Sequence, residues 1–274
     1  MSWEQKWMLL AFSAYFAASC LYILHMVWLK VRVGNWAYGA AVAGMGANTA
    51  ALLSRAYALG RMPLANMYEF GMLLVWAMSA FYLLLERRQG NRLLGAFVFP
   101  LIFILTGIFA IFYREGKPLM PALKSSWLSA HVLTALVAYG MLAVAFALAL
   151  MYLWKANLEE KGETGSWFEQ LPSLELLERL VNRCILLALP FLTLLIVTGA
   201  VWAEYAWGSY WRWDPKETWS LITWLIYAVY LHGRVFLGWK GKRLMHWAVF
   251  GFLAVLVTFI GVNLLLPGFH SYAV

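Results

Sequence analysis

Long apolar stretches separated by short polar connections dominate the chain. Each stretch has about 20 consecutive apolar residues, the length that an α-helix needs to cross roughly 30 Å of hydrocarbon at about 1.5 Å per residue. The pattern therefore predicts an all-α integral membrane protein, a bundle of about eight transmembrane helices that forms one polytopic domain over residues 1–274. The predicted spans are residues 7–29, 35–59, 66–85, 93–113, 127–154, 184–206, 218–238 and 245–266.

The composition agrees with a membrane protein. Of the 274 residues, 64% are hydrophobic and only 12% are charged, a balance that no water-soluble domain of this size could carry without aggregating. No small-residue cleavage site interrupts the first stretch, so we expect it to remain as a span. The two cysteines, Cys20 and Cys184, lack redox or metal spacing, so we expect extracytoplasmic thiol-reducing proteins to perform any thiol reduction.

Charge in the connections predicts the orientation. An even number of spans puts both termini on one side, and the connections on the other side carry nearly twice as many Lys and Arg residues. Because the positively charged side is usually cytoplasmic, we expect both termini to be extracytoplasmic. The net charge of +8 is then a topology signal, and it gives no reason to expect nucleic acid as a partner.

The longest predicted cytoplasmic connection covers residues 155–183. Between Leu171 and Leu180, apolar residues recur at helical spacing opposite charged residues. This spacing predicts an amphipathic helix that lies at the membrane interface.

The extracytoplasmic connection at residues 202–219 is unusually aromatic. Tryptophans scattered at span ends commonly form an anchoring belt, but five within 18 residues favour a platform for a flat, amphipathic ligand. Asp214 precedes Pro215 and is followed three residues later by Glu217, which predicts a capping box at the start of the seventh span. The five tryptophans lie over residues 207–224, from the connection into the seventh span, and are Trp207, Trp211, Trp213, Trp219 and Trp224.

The predicted depths of the histidines divide them into groups. His131, near the start of the fifth span, and His270, in the C-terminal tail, lie at the level of the tryptophans, and two imidazoles on opposite faces of a porphyrin give six-coordinate haem iron. His232 lies about 20 Å deeper at helical rise, so it belongs to a different site. His25 has comparable depth and His246 lies at the cytoplasmic edge, where each could instead bond a neighbouring carbonyl.

Two charged residues near the extracytoplasmic side, Arg55 and Glu69, each allow two interpretations. Arg55, within the second span, could pair with a haem propionate or with Glu69. Glu69 could also help to cap the third span.

Residues 207–219 resemble the WWD motif of haem-handling proteins. The form Asp-Pro-Lys-Glu-Thr-Trp at 214–219 and the closing residues 261–273 resemble the CcsA (ResC-type) family of cytochrome c biogenesis proteins of bacteria and plastids. Residues 63–69 and 127–132 also fit that family, so the resemblance covers most of the chain.

The resemblance implies a haem-binding site and a membrane partner. His131 and His270 match the external histidines that ligate haem beside the WWD loop, and His232 matches a histidine of a membrane haem site. The second ligand of the membrane site is implied to come from a CcsB (ResB-type) membrane protein, which leaves His25 as an alternative ligand. The other implied haem-contacting residues are Trp207, Trp211, Trp213, Trp219 and Asp214.

The resemblance also implies the reaction. Haem b would be the substrate and bound intermediate, and the complex with the CcsB-type protein would have holocytochrome c synthase (haem lyase) activity toward the CXXCH motif of apocytochrome c. No residue of the chain is assigned a catalytic role, because the reacting vinyl groups and thiols arrive with the substrates. The implied location is the plasma (inner) membrane of a bacterium, with the plastid thylakoid membrane as the alternative.

Two other functions fit the same residues. A haem export or loading protein like CcmC would present haem without ligase activity and without a CcsB-type partner. A b-type electron-transfer protein would keep its haems and would favour histidine pairs on facing spans at two depths.

Overall fold

The fold is a bundle of α-helices. A computed structural model describes residues 1–116 and 123–265, apart from the side chain of Ser166, and the regular secondary structure within these ranges is entirely helical. The all-α class predicted from the apolar stretches is therefore confirmed. The helices are α1 (Trp3–Trp28), α2 (Val31–Leu59), α3 (Met67–Gln89), α4 (Gly95–Ile111), α5 (Ser126–Glu160), α6 (Ser166–Glu169), α7 (Leu174–Trp207), α8 (Pro215–Val235), α9 (Lys242–Leu256) and α10 (Val262–Leu265).

Six helical segments in the described ranges are long and apolar enough to cross a membrane. Helices α2 and α8 are not among them, because α2 is rich in Ala and Gly and carries Arg55, while α8 begins and ends with charged residues. The helices thus agree with a multi-pass membrane protein, and the count of eight spans and their orientation remain predictions. The six segments are Trp3–Trp28, Met67–Gln89, Arg92–Ile111, Ser126–Glu160, Trp167–Trp207 and Lys242–Leu265.

The connection predicted over residues 155–183 is shorter in the structure, because α5 and α7 extend into it from both sides. The amphipathic stretch forms the first turns of α7 and is not a separate helix. Its apolar face is buried in the bundle, as at Leu177, and its charged face pairs with the α8 end through Glu178 and Arg234, 2.6 Å apart. Burial of one face and ion pairing of the other make the stretch part of the bundle.

Short connections make successive long helices antiparallel, so the bundle has two ends. We call the end that holds the α2–α3 and α7–α8 connections the loop end, and the other end the opposite end. Helix α5 packs extensively against α7, and α1 against α2. Packing within these two helix pairs places residues of neighbouring helices side by side at each end of the bundle.

A buried ionic cluster joins α1, α2 and α3 at the loop end. Arg55 donates from Nε to Glu69 Oε1 at 2.9 Å and from Nη1 to Glu4 Oε1 at 3.0 Å. Glu69 also accepts from Arg61 and from the backbone N–H of Ala65. Of the two partners expected for Arg55, the structure therefore shows the carboxylate of Glu69, and Glu69 helps to order the start of α3.

Candidate functional site: a histidine and tryptophan pocket

Helix caps fix both ends of the α7–α8 connection. Helix α7 ends at Gly208, whose φ of 70° lies in the left-handed region that glycine adopts readily. Helix α8 begins after Asp214, and Asp214 and Glu217 form the predicted capping box. Glu217 Oε2 accepts from the backbone N–H groups of Asp214 at 3.1 Å and Arg212 at 2.8 Å. The tryptophan-bearing segment is therefore tied to the first turn of α8.

Trp213 has a strained backbone within this segment. Its φ of 59° lies in the left-handed region, which residues with a side chain seldom adopt. Its ring is 68% exposed and meets the ring of Trp211 edge-on, with centroids 5.7 Å apart. Trp211 itself is half-buried and lines the pocket below the loop.

The pocket lies at the loop end, between α3, α5, α7, α8 and the helical residues 258–263 that follow α9. It holds about 1090 Å³ of empty space, counting its open mouth. The walls are mostly apolar, and the polar or aromatic residues that line it include His131, Trp202, Tyr210, Trp211, Lys216, Glu217 and Asn263.

His131 is held by the backbone of α7. Its Nδ1 lies 2.9 Å from the carbonyl oxygen of Leu195, and because a carbonyl only accepts, Nδ1 carries the proton. In the neutral ring Nε2 then has the lone pair, which is the form of imidazole that ligates metal ions. A side chain at Gly199 would bring its Cβ to 2.8 Å from the ring, so this glycine makes room for His131.

Trp202 and Trp207 support the same side of the pocket. The ring of Trp202 is nearly parallel to that of His131, at 19° and a centroid distance of 6.3 Å. Trp207 packs against Trp202, with centroids 4.8 Å apart, but is not part of the pocket wall. Trp202 was not among the predicted site residues, although it is the first residue of the aromatic connection predicted at residues 202–219.

The remaining predicted residues have different positions. Asp214 is buried, with 6% exposed, and serves as the cap of α8. Trp219 is half-buried in the first turns of α8 and does not line the pocket. His270 lies outside the described residues. The structure thus places His131 and Trp211 in one pocket, with Trp207 behind its wall and Trp213 exposed outside it.

Lys216 supplies an ammonium group to the pocket. Its side chain is partly buried at the start of α8, and this desolvation lowers the pKa to about 8, although the neighbouring Asp214 carboxylate acts in the other direction. A lysine with this pKa is largely protonated at pH 7 and can pair with a carboxylate of a ligand.

His232 is far from this pocket. It lies near the other end of α8, is exposed on the surface of the bundle and packs against Phe236, with ring centroids 5.0 Å apart. Phe236 and Val235 beside it are 75% and 65% exposed. His131 and His232 therefore belong to separate places, as their predicted depths required.

The described part of the chain is thus an α-helical membrane bundle with an aromatic, histidine-bearing pocket at one end. The family of the Cytochrome C assembly protein matches residues 64–270. Cytochrome c biogenesis protein CcsA of Trieres chinensis is 32% identical, over 92% of this chain and 93% of that protein. The CcsA proteins of Mesostigma viride and Synechococcus elongatus are 41% and 39% identical, over 77% and 78% of this chain.

The chain therefore belongs to the cytochrome c assembly family and, within it, to the CcsA-type biogenesis proteins. Among solved structures, a protein named Cytochrome c Heme Lyase CcmF superposes with a TM-score of 0.71 at 20% identity. The alignment covers 94% of this chain and 47% of that lyase, so the chain spans about half of its length. At this identity the likeness shows a shared fold.

Proposed function

We propose that this chain, with a CcsB-type membrane partner, moves haem b across the membrane and presents it in the loop-end pocket to apocytochrome c. The complex would then act as a holocytochrome c synthase. Membership in the assembly family supports a role in cytochrome c maturation over the b-type electron-transfer alternative. The finer steps rest on the contacts of the pocket and on the position of His232.

One observation carries the proposal for the loop end. His131 is fixed with Nδ1 bonded to Leu195, so that Nε2 is the ligating nitrogen, in a pocket that also contains Trp211 and Lys216. Imidazole, indole and ammonium groups match the iron, the flat ring and a propionate of haem, respectively. Haem is the substrate of this site, and His270 is proposed as its second axial ligand.

The proposed chemistry is addition of two cysteine thiols across the two vinyl groups of haem. Each S–H bond breaks, sulfur bonds to the inner vinyl carbon and the hydrogen goes to the outer one, so the addition needs no oxidant or reductant. The pocket would contribute by orienting the vinyl edge at its mouth, since correct positioning of reactants lowers such barriers by several kcal/mol. Replacement of a histidine ligand by the histidine of CXXCH would release the product.

His232 is proposed as one ligand of a haem within the membrane. Its imidazole is exposed on the outer surface of α8 beside the exposed Phe236. An exposed ligand next to apolar surface suits a haem shared with a partner, which would provide the second histidine. We propose the plasma membrane of a bacterium as the location, and cyanobacterial and plastid relatives make the thylakoid membrane the alternative.

The test is the reduced absorption spectrum and haem content of the purified chain, with and without its CcsB-type partner. Wild type would be compared with His131→Ala and His270→Ala, and with His246→Ala as a control outside the proposed sites. We expect each of the first two changes to remove the bis-histidine signal of the loop-end haem, to leave that of the haem at His232, and to be reversed by added imidazole. The control should retain both.

An unchanged spectrum in both ligand variants would contradict haem presentation at the loop end. The CcmC-like alternative makes a different prediction for the partner. If haem content and delivery are the same without a CcsB-type protein, the chain loads haem and the ligase activity lies elsewhere.

A further inference from the structure

A second cavity lies at the opposite end of the bundle. It is formed where α1 ends, α2 begins and α3 ends, and it holds about 1330 Å³ of empty space, counting its open mouth. Its wall includes an imidazole, a phenol ring and two guanidinium groups, which belong to His25, Tyr38, Arg87 and Arg92. None of the predicted loop-end residues is part of this wall.

His25 is held by the backbone in the same way as His131. Its Nδ1 lies 3.1 Å from the carbonyl oxygen of Lys30, so Nδ1 carries the proton and the neutral ring has its lone pair on Nε2. A Cβ at Gly34 would lie 3.0 Å from both Nε2 and Cε1 of this ring. The absent side chain of Gly34 therefore lets the His25 ring lie close to the start of α2, where Arg92 Cδ would also be 3.1 Å from that Cβ.

A similar arrangement thus occurs at both ends, although Gly199 lies beside Nδ1 of His131 and Gly34 beside Nε2 of His25. His131 bonds the carbonyl of Leu195, and Gly199, four residues later, faces its ring. His25 bonds the carbonyl of Lys30, and Gly34, four residues later, faces its ring. At the opposite end the carbonyl of Lys30 also accepts from the backbone N–H of Gly34 at 3.3 Å. A bond of this kind fixes both the tautomer and the direction of a ligating imidazole.

The charges around His25 favour an amphipathic ligand over a small anion. Arg92 is already paired with the buried carboxylate of Glu86, at 3.4 Å, and its guanidinium lies 5.8 Å from the centre of the Tyr38 ring. Arg87 is exposed at the rim of the cavity. A ligand that offers an iron atom to Nε2, a flat apolar body to Tyr38 and a carboxylate to the rim would use all of these groups.

We propose that this cavity is a further haem-binding site, with His25 as an axial ligand, where the chain receives haem at the opposite end of the bundle. The choice of an iron porphyrin rests on the proposed function, since it takes haem to be the molecule that the chain carries. Haem held there would precede the haem at His232 and the haem at the loop end. His25 is then a ligand in its own right and not a substitute for the partner's histidine.

The test uses the full chain with the ligands of the other proposed sites removed, as the variant His131→Ala, His232→Ala and His270→Ala. Haemin would be titrated into the purified protein and the Soret band followed. We expect one haemin per chain with a histidine-ligated spectrum. Adding His25→Ala should abolish that spectrum, and free imidazole should restore it.

Gly34 allows a test that keeps every histidine. In the otherwise wild-type chain, Gly34→Ala should weaken binding of haemin at this site by about tenfold, because the added methyl group would press on the ring at Nε2 and Cε1 and displace it. Gly39→Ala is the matched control, since a Cβ at that position of the same helix meets nothing within 4 Å. This comparison remains decisive if the multiple variant does not fold.

Three results would overturn the proposal: no histidine-ligated haemin in the multiple variant, no effect of His25→Ala, or equal effects of Gly34→Ala and Gly39→Ala. A further titration uses metal-free protoporphyrin in place of haemin. If it binds as tightly as haemin, the cavity accepts anionic amphiphiles without iron ligation. The loop-end test follows His131 in a chain that keeps His25, so the two proposals can fail independently.

Discussion

Arg55 and Glu69 form an ion pair inside the loop end, with Nε and Oε1 2.9 Å apart and side-chain exposures of only 3% and 0%. Glu69 is also bonded to Arg61, so one carboxylate satisfies two guanidinium groups. Removal of one member of a buried pair leaves an uncompensated charge, which makes such a pair far more sensitive to mutation than a surface pair.

We therefore expect Glu69→Gln to lower stability by about 3–5 kcal/mol, because Arg55 and Arg61 would lose their shared carboxylate. Thermal unfolding in detergent would measure the change. Glu163→Gln, at an exposed position in the α5–α6 connection, is the control and should have little effect. A loss no larger than that of the control would show that the cluster does not hold the helices together.

Gly199→Ala should displace His131 without removing it. The new Cβ would lie 2.8 Å from Nδ1 and Cε1 of the ring, so the bond to Leu195 could not persist in its present geometry. We expect the loop-end haem to lose affinity by about tenfold or more, as when a supporting contact of a metal-ligating histidine is lost. The Soret spectrum and haem content measure this.

The control for that experiment is Gly46→Ala in α2, where a Cβ meets nothing within 4 Å. It should retain the haem content of the wild type. A Gly199→Ala protein with unchanged spectrum and haem affinity would mean that the position of the His131 ring does not control ligation.

Trp211 and Trp213 should respond differently to truncation, although they are two residues apart. Trp211 lines the pocket, whereas Trp213 is 68% exposed outside it. Trp211→Phe should retain most of the haem affinity, and Trp211→Ala should lower it by about tenfold through loss of buried aromatic contact. Trp213→Ala should leave haem affinity close to wild type, and its effect, if any, should be on thioether yield with apocytochrome c.

This comparison uses haemin titration for affinity and gel-based haem staining of the cytochrome for yield. Equal losses of haem affinity for Trp211→Ala and Trp213→Ala would contradict the division of roles.

The lowered pKa of Lys216 predicts that haem binding depends on pH. Because burial lowers its pKa to about 8, the ammonium group loses its proton as the pH rises from 7 to 9. Pairing with a propionate should then weaken, with a decline in haem affinity of about tenfold. Lys216→Arg should bind haem equally well at both pH values, since guanidinium stays protonated.

The free energy of unfolding should increase as the pH rises, whereas the haem affinity decreases. The ordinary pKa of lysine is 10.5, so between about pH 8 and 10.5 the folded chain binds fewer protons than the unfolded chain, and Lys216 becomes less destabilising as the pH rises. Haem affinity of wild type that does not change between pH 7 and 9 would contradict a role of Lys216 in holding a propionate.

Much of the local structure could be predicted from the sequence. The helices follow from the lengths of the apolar stretches, and the capping box of α8 follows from the spacing of Asp214 and Glu217. These features depend on residues within a few positions of each other, so the pattern along the chain contains the information for them. The tryptophans, through their unusual density, likewise indicated where the pocket would be found.

The composition of the pocket could not be predicted in this way. His131 and the carbonyl that fixes it are 64 residues apart in the chain, and Gly199 and Trp202 look like ordinary residues of an apolar helix. The same holds for which of its two expected partners Arg55 contacts and for the amphipathic stretch that forms the start of α7.

The sequence by itself thus determined the membrane class, the helices and the assembly family, through periodicity, capping and motifs. Only the tertiary structure decided which tryptophans face the pocket, which carbonyl orients His131, and that His25 is held in the same way at the other end. The physical reason is that hydrogen bonds and close contacts between helices depend on how the helices pack, and residues far apart in the chain jointly determine that packing.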